Sequence, residues 1–215
     1  MPVPVPPEKI ALLAPRCDAV YSAAFAVGQA VLERYGIADS RLRVIHFLAQ
    51  ILHETGGLAL KFENLRYSPA RLPAVWPSRF HPLGSLDPHQ YAYQPEKLAN
   101  AVYGGRMGNV AQGDGFLYRG RGMLQLTGKD SYARATTILQ LRSPDAPDLT
   151  LQPDAVCSAE WSLHVAAAEW AARGCNCAAD CDDLEQVTRC INGGVIGLSE
   201  RAAWRARVRP LFLPG

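Results

Sequence analysis

The chain has 215 residues, of which 48% are hydrophobic and 20% are charged, and its net charge is +2. This composition is typical of a globular protein and excludes a disordered chain. The near balance of 22 basic and 20 acidic residues leaves no strong positive field, which argues against sequence-independent binding of nucleic acid. The length fits one domain, or one core divided into two lobes by a cleft. We therefore expect a single unit over 1–215 with its core in about 7–210.

The predicted elements are mostly helices. In chain order they cover residues 7–35 (as one or two helices), 41–55, part of 65–80, 96–103, 130–141, 158–173, 182–191 and 199–208. Only the short segments 60–65 and 118–126 alternate with period two, and residues 73–115 have mostly irregular patterns. The sequence therefore predicts a mainly α protein with little β structure.

The helix over 41–55 has the clearest pattern. A buried stripe with i, i+3, i+4, i+7 spacing runs along it, formed by Ile45, Leu48, Ala49 and Leu52. Ser40 stands in the N-cap position, and Gly56–Gly57 supplies the residue type that ends many helices.

No segment has the pattern of a membrane span or an export signal. Apolar runs are interrupted by Arg, Glu or His within about a dozen residues, well short of the roughly 20 residues of a membrane span. The segment Met1 to Pro7 lacks both a basic region and an unbroken apolar region, so it does not match a signal peptide. We expect synthesis in the cytoplasm without a classical export signal.

Six cysteines need an explanation, because a chain of this length does not require disulfides to fold. Cys17 and Cys157 stand alone, whereas the other four form a cluster: Cys175, Cys177, Cys181 and Cys190. The cluster spacing, C-x-C-x3-C-x8-C, differs from the C-x2-C pairs of common zinc sites. Free structural thiols are the first interpretation, a disulfide is the second and zinc is the third.

Motifs for cofactor and metal chemistry are missing. His53-Glu54 is followed by Thr-Gly-Gly, without the second histidine of a zinc protease helix. Gly120-Arg-Gly122 lacks the third glycine of a dinucleotide-binding loop, and neither a phosphate-binding loop nor a G-x-S-x-G motif occurs. The sequence therefore predicts no metal and no cofactor.

Two glutamates remain as candidates for chemistry. Glu54 lies in the last turn of the helix over 41–55, where the negative end of the dipole and the apolar neighbours Phe47 and Ile51 disfavour ionisation. Glu63 follows the Gly-Gly turn, so a chain reversal there would place both carboxyls across a groove. Two carboxyls that flank a cleft are the groups used in glycoside hydrolysis. From spacing alone, two solvated surface glutamates are the simpler interpretation.

Four segments in a fixed order decide between these interpretations. They are H-E-T-G-G at 53–57, E-N-L-R-Y-S at 63–68, Y-R-G-R-G-M-L-Q-L-T-G at 118–128 and I-N-G-G at 191–194, followed by Arg201. Together they resemble the signature segments of glycoside hydrolase family 19. The resemblance covers about residues 40–205 and implies a mainly helical, two-lobed, lysozyme-like domain with a substrate cleft. It also implies inversion at the anomeric carbon without metal or cofactor.

The resemblance implies a role for each matching residue. Glu54 matches the general acid, Glu63 the general base that activates water, and Thr127 the hydroxyl residue that helps hold this water. The candidates for sugar contact are Gln125, His53, Asn192 and Arg201, with Tyr67 and Tyr118 as residues that could stack on sugar rings. Structural interpretations stay open for these residues as well: Thr127 could cap the helix over 130–141, and Asn192-Gly193 is also a common turn pair.

The family includes plant-type chitinases and a bacterial and phage branch of cell-wall lysins. This chain lacks the signal sequence and long loops of the plant enzymes and so resembles the compact phage-type branch. We expect an endolysin- or muramidase-like glycosidase that cleaves β-1,4 bonds between the amino sugars of peptidoglycan. A chitinase is the alternative, and a non-catalytic saccharide-binding module is a third. A lytic transglycosylase needs only one acid, so the presence of Glu63 argues against it.

Several expectations accompany this interpretation. The partner is a polysaccharide, with no nucleic acid and no membrane involved, and the protein is a monomer. It acts on the cell wall after release by a holin or a secretion system, and no separate wall-binding domain is expected.

Overall fold

In the computed structural model, which describes residues 1–213, α-helices supply nearly all the regular structure. The twelve α-helices in this part of the chain are α1 Pro7–Leu13, α2 Ala19–Ala26, α3 Gln29–Arg34, α4 Arg41–Glu54, α5 Leu72–Val75, α6 Pro95–Tyr103, α7 Asp114–Leu117, α8 Lys129–Gln140, α9 Ser162–Ala172, α10 Cys175–Asp180, α11 Leu184–Asn192 and α12 Leu198–Phe212. Short 3₁₀ helices occur at Pro88–Gln90 and Pro153–Cys157. The predicted mainly α fold is confirmed.

The N-terminal helices differ from the prediction of one or two helices over 7–35. Three short helices form instead, because Pro15 follows the end of α1 and disfavours a helical residue before it. Asp18 then caps α2 through a hydrogen bond from the Val20 N–H. Gly28 separates α2 from α3 and lies against Leu163, where a Cβ would come within 2.4 Å of the leucine side chain.

The large lobe is built around α4. Every residue from Val44 to Leu52 is buried, and α12 packs along this helix. Phe47 meets Trp170 of α9 edge-on, with ring centroids 5.4 Å apart. Each fully buried aliphatic or aromatic side chain of this kind contributes roughly 1.5–3 kcal/mol. The end of α4 is therefore held by the most extensively packed part of the protein. Ser40 occupies the N-cap position, although its side chain makes no capping hydrogen bond.

The small lobe has a separate hydrophobic cluster within residues 65–116. Its buried members are Leu65, Leu72, Phe80, Leu98, Ala99 and Val102, and tyrosine, tryptophan and phenylalanine side chains pack around them. The helix predicted within 65–80 shortens to the four residues of α5, and α6 begins one residue before its predicted start. Two separate clusters thus account for the predicted two-lobed shape.

Residues 61–63 and 120–126 join the lobes, and we call them the interlobe ribbon. The second segment is a turn closed by the bridge between Arg121 and Leu126. The Glu63 N–H donates to the Gly120 carbonyl at 3.0 Å, and the Gly122 N–H donates to the Lys61 carbonyl at 2.9 Å. Arg121 is 2% exposed and anchors the ribbon, donating to Asp154 at 3.0 Å and to the Tyr132 hydroxyl at 3.1 Å. Isolated bridges are the only strand pairing in residues 1–213.

The C-terminal third contains one helix that the sequence patterns did not predict, α10. All six cysteines are free thiols, and burial raises the pKa of both Cys157 and Cys175. Within residues 1–213, no group of three or more His, Cys, Asp or Glu side chains is arranged to hold a metal ion. In the same range, no helix has both the length and the apolar character needed to cross a membrane.

Candidate active site

Glu54 is the last residue of α4, and its side chain is 17% exposed. Arg201 of α12, only 2% exposed, donates one guanidinium nitrogen to the Glu54 carboxylate and another to the side-chain carbonyl of Gln50. Gln50 in turn donates to the Thr188 hydroxyl of α11 at 3.4 Å. Side chains from three helices therefore fix the position of the Glu54 carboxyl.

The neighbouring His53 lies close to the Gly197 backbone, where a Cβ would come within 2.6 Å of the imidazole Nε2. Burial lowers the pKa of His53, and the charge of Arg201 lowers it further. We therefore expect His53 to be neutral at pH 7.

Glu63 lies on the interlobe ribbon and accepts hydrogen bonds with both carboxylate oxygens. The Gly120 N–H donates to Oε1 at 2.6 Å, and the Tyr103 hydroxyl donates to Oε2 at 2.7 Å. An ionised carboxylate is a pure acceptor, and the two donors match its two oxygens. This arrangement suits a general base.

Gly120 is required by the close approach of two side chains. A Cβ at this position would lie 2.8 Å from Gln125 Oε1 and 3.2 Å from the Glu63 Cβ. Gln125 therefore reaches the neighbourhood of the base with its side-chain amide. Its backbone has a φ of +52°, a conformation that is costly for a residue other than glycine and that is often found at functional sites.

A depression of about 190 Å³ lies beside the acid. Its lining residues are Glu54, Leu124, Gln125, Leu126, Thr127, Ser131, Arg173, Ile191 and Asn192. Thr127 donates its hydroxyl to the Gln125 carbonyl at 3.1 Å. The structure thus brings together Glu54, Gln125, Thr127 and Asn192, four residues singled out from the sequence. Gln125 also approaches Glu63 and so connects the two carboxyl groups.

The remaining sequence candidates lie in different environments. Asn192 ends α11 and is exposed, and its amide donates to the Ile196 carbonyl at 3.4 Å. Tyr67 is half-buried in the small lobe and meets Trp76 edge-on, with ring centroids 5.1 Å apart. Arg201 reaches the site through Glu54 and is shielded from solvent, so its guanidinium holds the Glu54 carboxylate in place.

Tyr118 does not belong to the groove. It is 3% exposed, its hydroxyl donates to the Thr150 carbonyl at 2.9 Å, and its ring meets Tyr132 edge-on at 5.3 Å. The prediction that Tyr118 stacks on a sugar is therefore wrong, because its ring packs inside the large lobe. Motif membership could not distinguish an aromatic ring that supports the ribbon from one that faces the substrate.

Sequence reasoning missed Tyr103, Gln50 and Arg173. Tyr103 lies at the end of α6, in a region where the sequence predicted only a short helix. Gln50 of α4 is completely buried beside Arg201, and no sequence pattern marks it as the partner of a buried charge. Arg173 lines the depression, but no local pattern separates it from the other arginines of the chain.

Paired carboxyls beside a depression are the arrangement expected of a glycoside hydrolase. The sequence is 36% identical over 174 residues to a glycosyl hydrolase family 19 domain-containing protein of Haemophilus influenzae (strain ATCC 51907 / DSM 11121 / KW20 / Rd), and the match covers 80% of each chain. The chain belongs to glycosyl hydrolase family 19, and the resemblance described above is confirmed. No family model matches the sequence.

Solved structures agree with this fold. Chitinase C from Streptomyces griseus HUT6037 superposes with a TM-score of 0.63 at 16% identity, over 97% of this chain and 92% of its own. A mutant of chitinase C gives a TM-score of 0.64 at 18% identity, over 97% of this chain and 76% of its own. A bacterial family 19 chitinase gives a TM-score of 0.57 at 19% identity, over 97% of this chain and 95% of its own.

Proposed function

We propose that this glycoside hydrolase cleaves the β-1,4 bonds between the amino sugars of peptidoglycan by an inverting acid–base reaction. Glu54 donates its proton to the leaving glycosidic oxygen as the bond to the anomeric carbon breaks. Glu63 removes a proton from a water molecule, whose oxygen forms the new bond from the opposite face. The scheme leaves Glu54 ionised and Glu63 protonated, and solvent restores both.

One observation carries this proposal: the two carboxyls are held in contrasting ways on either side of Gln125. Glu54 ends α4 at the edge of the depression, where the buried Arg201 guanidinium holds its carboxyl in place. Glu63 accepts two hydrogen bonds, at 2.6 and 2.7 Å, which suits a proton acceptor. Thr127 and Gln125 line the depression beside Glu54, and Gln125 also approaches Glu63, so these two side chains would orient the water. The expected separation of the two carboxyls is about 6.5–9.5 Å, which leaves room for that water.

The charge beside the depression favours an anionic glycan. Glu169 is 1% exposed, and its carboxylate pairs with both Arg173 at 2.9 Å and Arg134 at 3.1 Å. Two guanidinium groups around one carboxylate leave a local charge of +1, and the Arg134 side chain is 50% exposed. Peptidoglycan carries carboxylates on its lactyl and peptide groups, whereas chitin is neutral. This charge supports peptidoglycan as the substrate.

Chitin hydrolysis is the second candidate, and the superposition on chitinase structures favours it. The same acid and base would act on a neutral polymer of N-acetylglucosamine. A non-catalytic saccharide-binding module is disfavoured because both carboxyls are present in positions suited to their roles. For the peptidoglycan enzyme, we further propose an endolysin-like role in which release by a holin or a secretion system brings it to the wall.

Digestion of purified peptidoglycan and of chitin oligomers, followed by mass spectrometry, tests the substrate. We expect reducing muropeptides to appear faster than products of chitin, and the Glu54→Gln variant to release neither. Soluble chito-oligomers as the sole products, with peptidoglycan left intact, would overturn the proposal in favour of the chitinase.

A further inference from the structure

Tyr103 is the one side chain in residues 1–213 that donates a hydrogen bond to the Glu63 carboxylate. Burial raises the pKa of Tyr103 well above its usual value, and the charge of Glu63 raises it further. The phenol therefore remains protonated wherever Glu63 is ionised. It is a permanent donor at the oxygen that the Gly120 N–H leaves free.

Asn109 connects Tyr103 to the other half of the site. Its side chain is 1% exposed, and both ends of the amide are used: Nδ2 donates to the Tyr103 carbonyl at 3.1 Å, and Oδ1 accepts from the Lys129 N–H at 2.9 Å. Tyr103 ends α6 in the small lobe, and Lys129 begins α8 in the large lobe, two residues after Thr127. One buried amide therefore bridges the two lobes between the residues assigned to the base and its water.

The backbones on each side of this bridge approach closely. A Cβ on Gly108 would lie 2.2 Å from Asp130 Oδ1, and a Cβ on Gly128 would lie 2.5 Å from the Met107 Cβ. Both glycines also have positive φ, at +79° and +83°. The Asp130 N–H donates to the Met107 carbonyl at 3.0 Å. The close contact between the loop after α6 and the start of α8 thus requires glycine at positions 108 and 128.

We propose that Tyr103 and Asn109 are positioning residues: Tyr103 orients the Glu63 carboxylate through its hydrogen bond, and Asn109 fixes Tyr103 relative to Thr127. The proposal rests on the role of Glu63 as general base. In this proposal, the contact between the end of α6 and the start of α8 aligns the base and its water across the two lobes.

The other groups around Glu63 do not change charge in the relevant pH range. Tyr67 lies near the carboxylate, and burial followed by the charge of Glu63 raises its pKa. Arg119, just before the second ribbon segment, and Arg106 near Tyr103 remain cationic. Removal of the Tyr103 hydroxyl therefore alters one donor to Glu63 while the surrounding charges stay the same.

The test is the Tyr103→Phe variant, studied by activity and by NMR. Loss of an ordinary hydrogen bond to a charged group changes the titration of that group by about one pH unit. We therefore expect the acidic limb of the kcat/KM profile to shift to higher pH by about one unit. At pH values well above this limb, Tyr103→Phe should recover most of the wild-type activity. In protein labelled at the glutamate carboxyl carbons, the Glu63 resonance, assigned with Glu63→Gln, should titrate with a midpoint higher by the same amount.

Tyr21→Phe is the matched control, because it removes a buried hydroxyl that donates to the Leu60 carbonyl at 3.3 Å. It should leave both the pH profile and the Glu63 titration unchanged.

Asn109→Ala should lower kcat about tenfold with KM little changed, because a shift of Tyr103 by a fraction of an ångström misplaces Glu63. If this variant does not fold, Asn109→Asp replaces it, because it keeps the acceptor for the Lys129 N–H and loses the donor to the Tyr103 carbonyl. An unchanged kcat in the folded variant would remove Asn109 from the proposal.

An unshifted Glu63 midpoint in Tyr103→Phe would overturn the inference, whatever the enzyme activity. A wild-type protein inactive on every glycan would overturn the proposed function instead. The NMR titration separates these two outcomes because it needs no substrate.

Discussion

The large lobe and the interlobe ribbon hold their carboxyls by different means. Glu54 ends a helix of 14 residues whose segment from Val44 to Leu52 is entirely buried, and Arg201 secures it from a second helix. Glu63 lies on an irregular segment and is held by two hydrogen bonds, one from Gly120 and one from Tyr103. The acid is placed by the core of the protein, whereas the base is placed by local donors.

This difference predicts how the two regions respond to mutation. Changes around Glu54 should affect stability and activity together, because its partner is a buried charge in the helical core. Changes around Glu63 should affect chemistry with a smaller loss of stability, because few packed side chains depend on its position. The predictions below test this contrast, beginning with the largest expected effect.

The largest effect should come from the acid itself. Glu54→Gln removes the proton donor to the leaving oxygen and should lower kcat by about 10³-fold, within the usual range for general acid catalysis. Glu63→Gln should lower it somewhat less, because Thr127 and the groove still hold water. Both variants should bind glycan with an affinity close to that of the wild type, measured by calorimetry. Glu185→Gln, a change at an exposed residue of α11, should behave as wild type, and equal activity of all three variants would refute the assignment.

The next effect concerns stability in the large lobe. Arg201→Met leaves the Glu54 carboxylate partly buried without its guanidinium and should lower the free energy of unfolding by about 3 kcal/mol. Arg189→Met makes the same change at an exposed i,i+4 pair with Glu185 and should cost less than about 0.5 kcal/mol. Urea denaturation measures both values. Similar losses in the two variants would mean that the core does not hold Glu54 as described.

A smaller effect is expected in the pH dependence of stability. His46 of α4 is fully buried and bonded to Asp182 at 2.8 Å; burial lowers its pKa, although the contact with Asp182 opposes this. The unfolded chain therefore binds a proton more readily than the folded one, and stability should fall as pH drops below about 6.5. His46→Asn should make this slope shallower between pH 7 and 5. A steeper slope in the variant would contradict a lowered pKa of His46 in the folded state.

The contribution of Asp182 should be lost in a separate, more acidic range. Burial alone would raise its pKa, but hydrogen bonds from His46, Arg205 and Arg209 lower it to about 2. A carboxyl with a depressed pKa stabilises the folded state above its unfolded value near 4 and loses this contribution as pH falls toward 2. Denaturation curves below pH 4 should therefore show a second decline that is absent in Asp182→Asn.

The smallest effect should appear in substrate preference. Arg134→Gln removes a half-exposed positive charge beside the depression while Arg173 still pairs with Glu169. Its rate on peptidoglycan should fall a few-fold, as expected for an exposed charge that is screened by solvent, with the rate on chitin oligomers unchanged. The ratio of the two rates, measured at low and high salt, checks this. A ratio independent of Arg134 would remove the electrostatic argument for an anionic glycan.

The sequence predicted α4 to within one residue because its apolar stripe has a regular helical period and Gly-Gly follows it. It also identified Glu54, Gln125 and Thr127, which the structure brings to one depression. Elements fixed by distant contacts were harder to predict. The break at Gly28 depends on Leu163 of α9, and no residue near Gly28 in the sequence indicates that contact.

In the small lobe, too, a site residue is fixed by contacts that are distant in sequence. Tyr103 lies at the end of an ordinary amphipathic helix, and its hydrogen bond to Glu63 exists only because the lobe folds back on the ribbon. For Tyr118 the prediction was wrong for the opposite reason. The residue belongs to a motif next to the groove, but its side chain packs in the core. Local pattern identified the groups that carry chemistry, whereas tertiary packing decided which neighbours support them.

The most direct test of the acid and base assignment is the anomer first formed from a β-linked oligosaccharide. Inversion requires water activated by Glu63 to attack from the face opposite the oxygen that Glu54 protonates. Proton NMR in the opening minutes of the reaction, before mutarotation, should show the α-anomer as the initial product. An initial β-anomer would mean a retaining reaction and would contradict the role of Glu63 as the base.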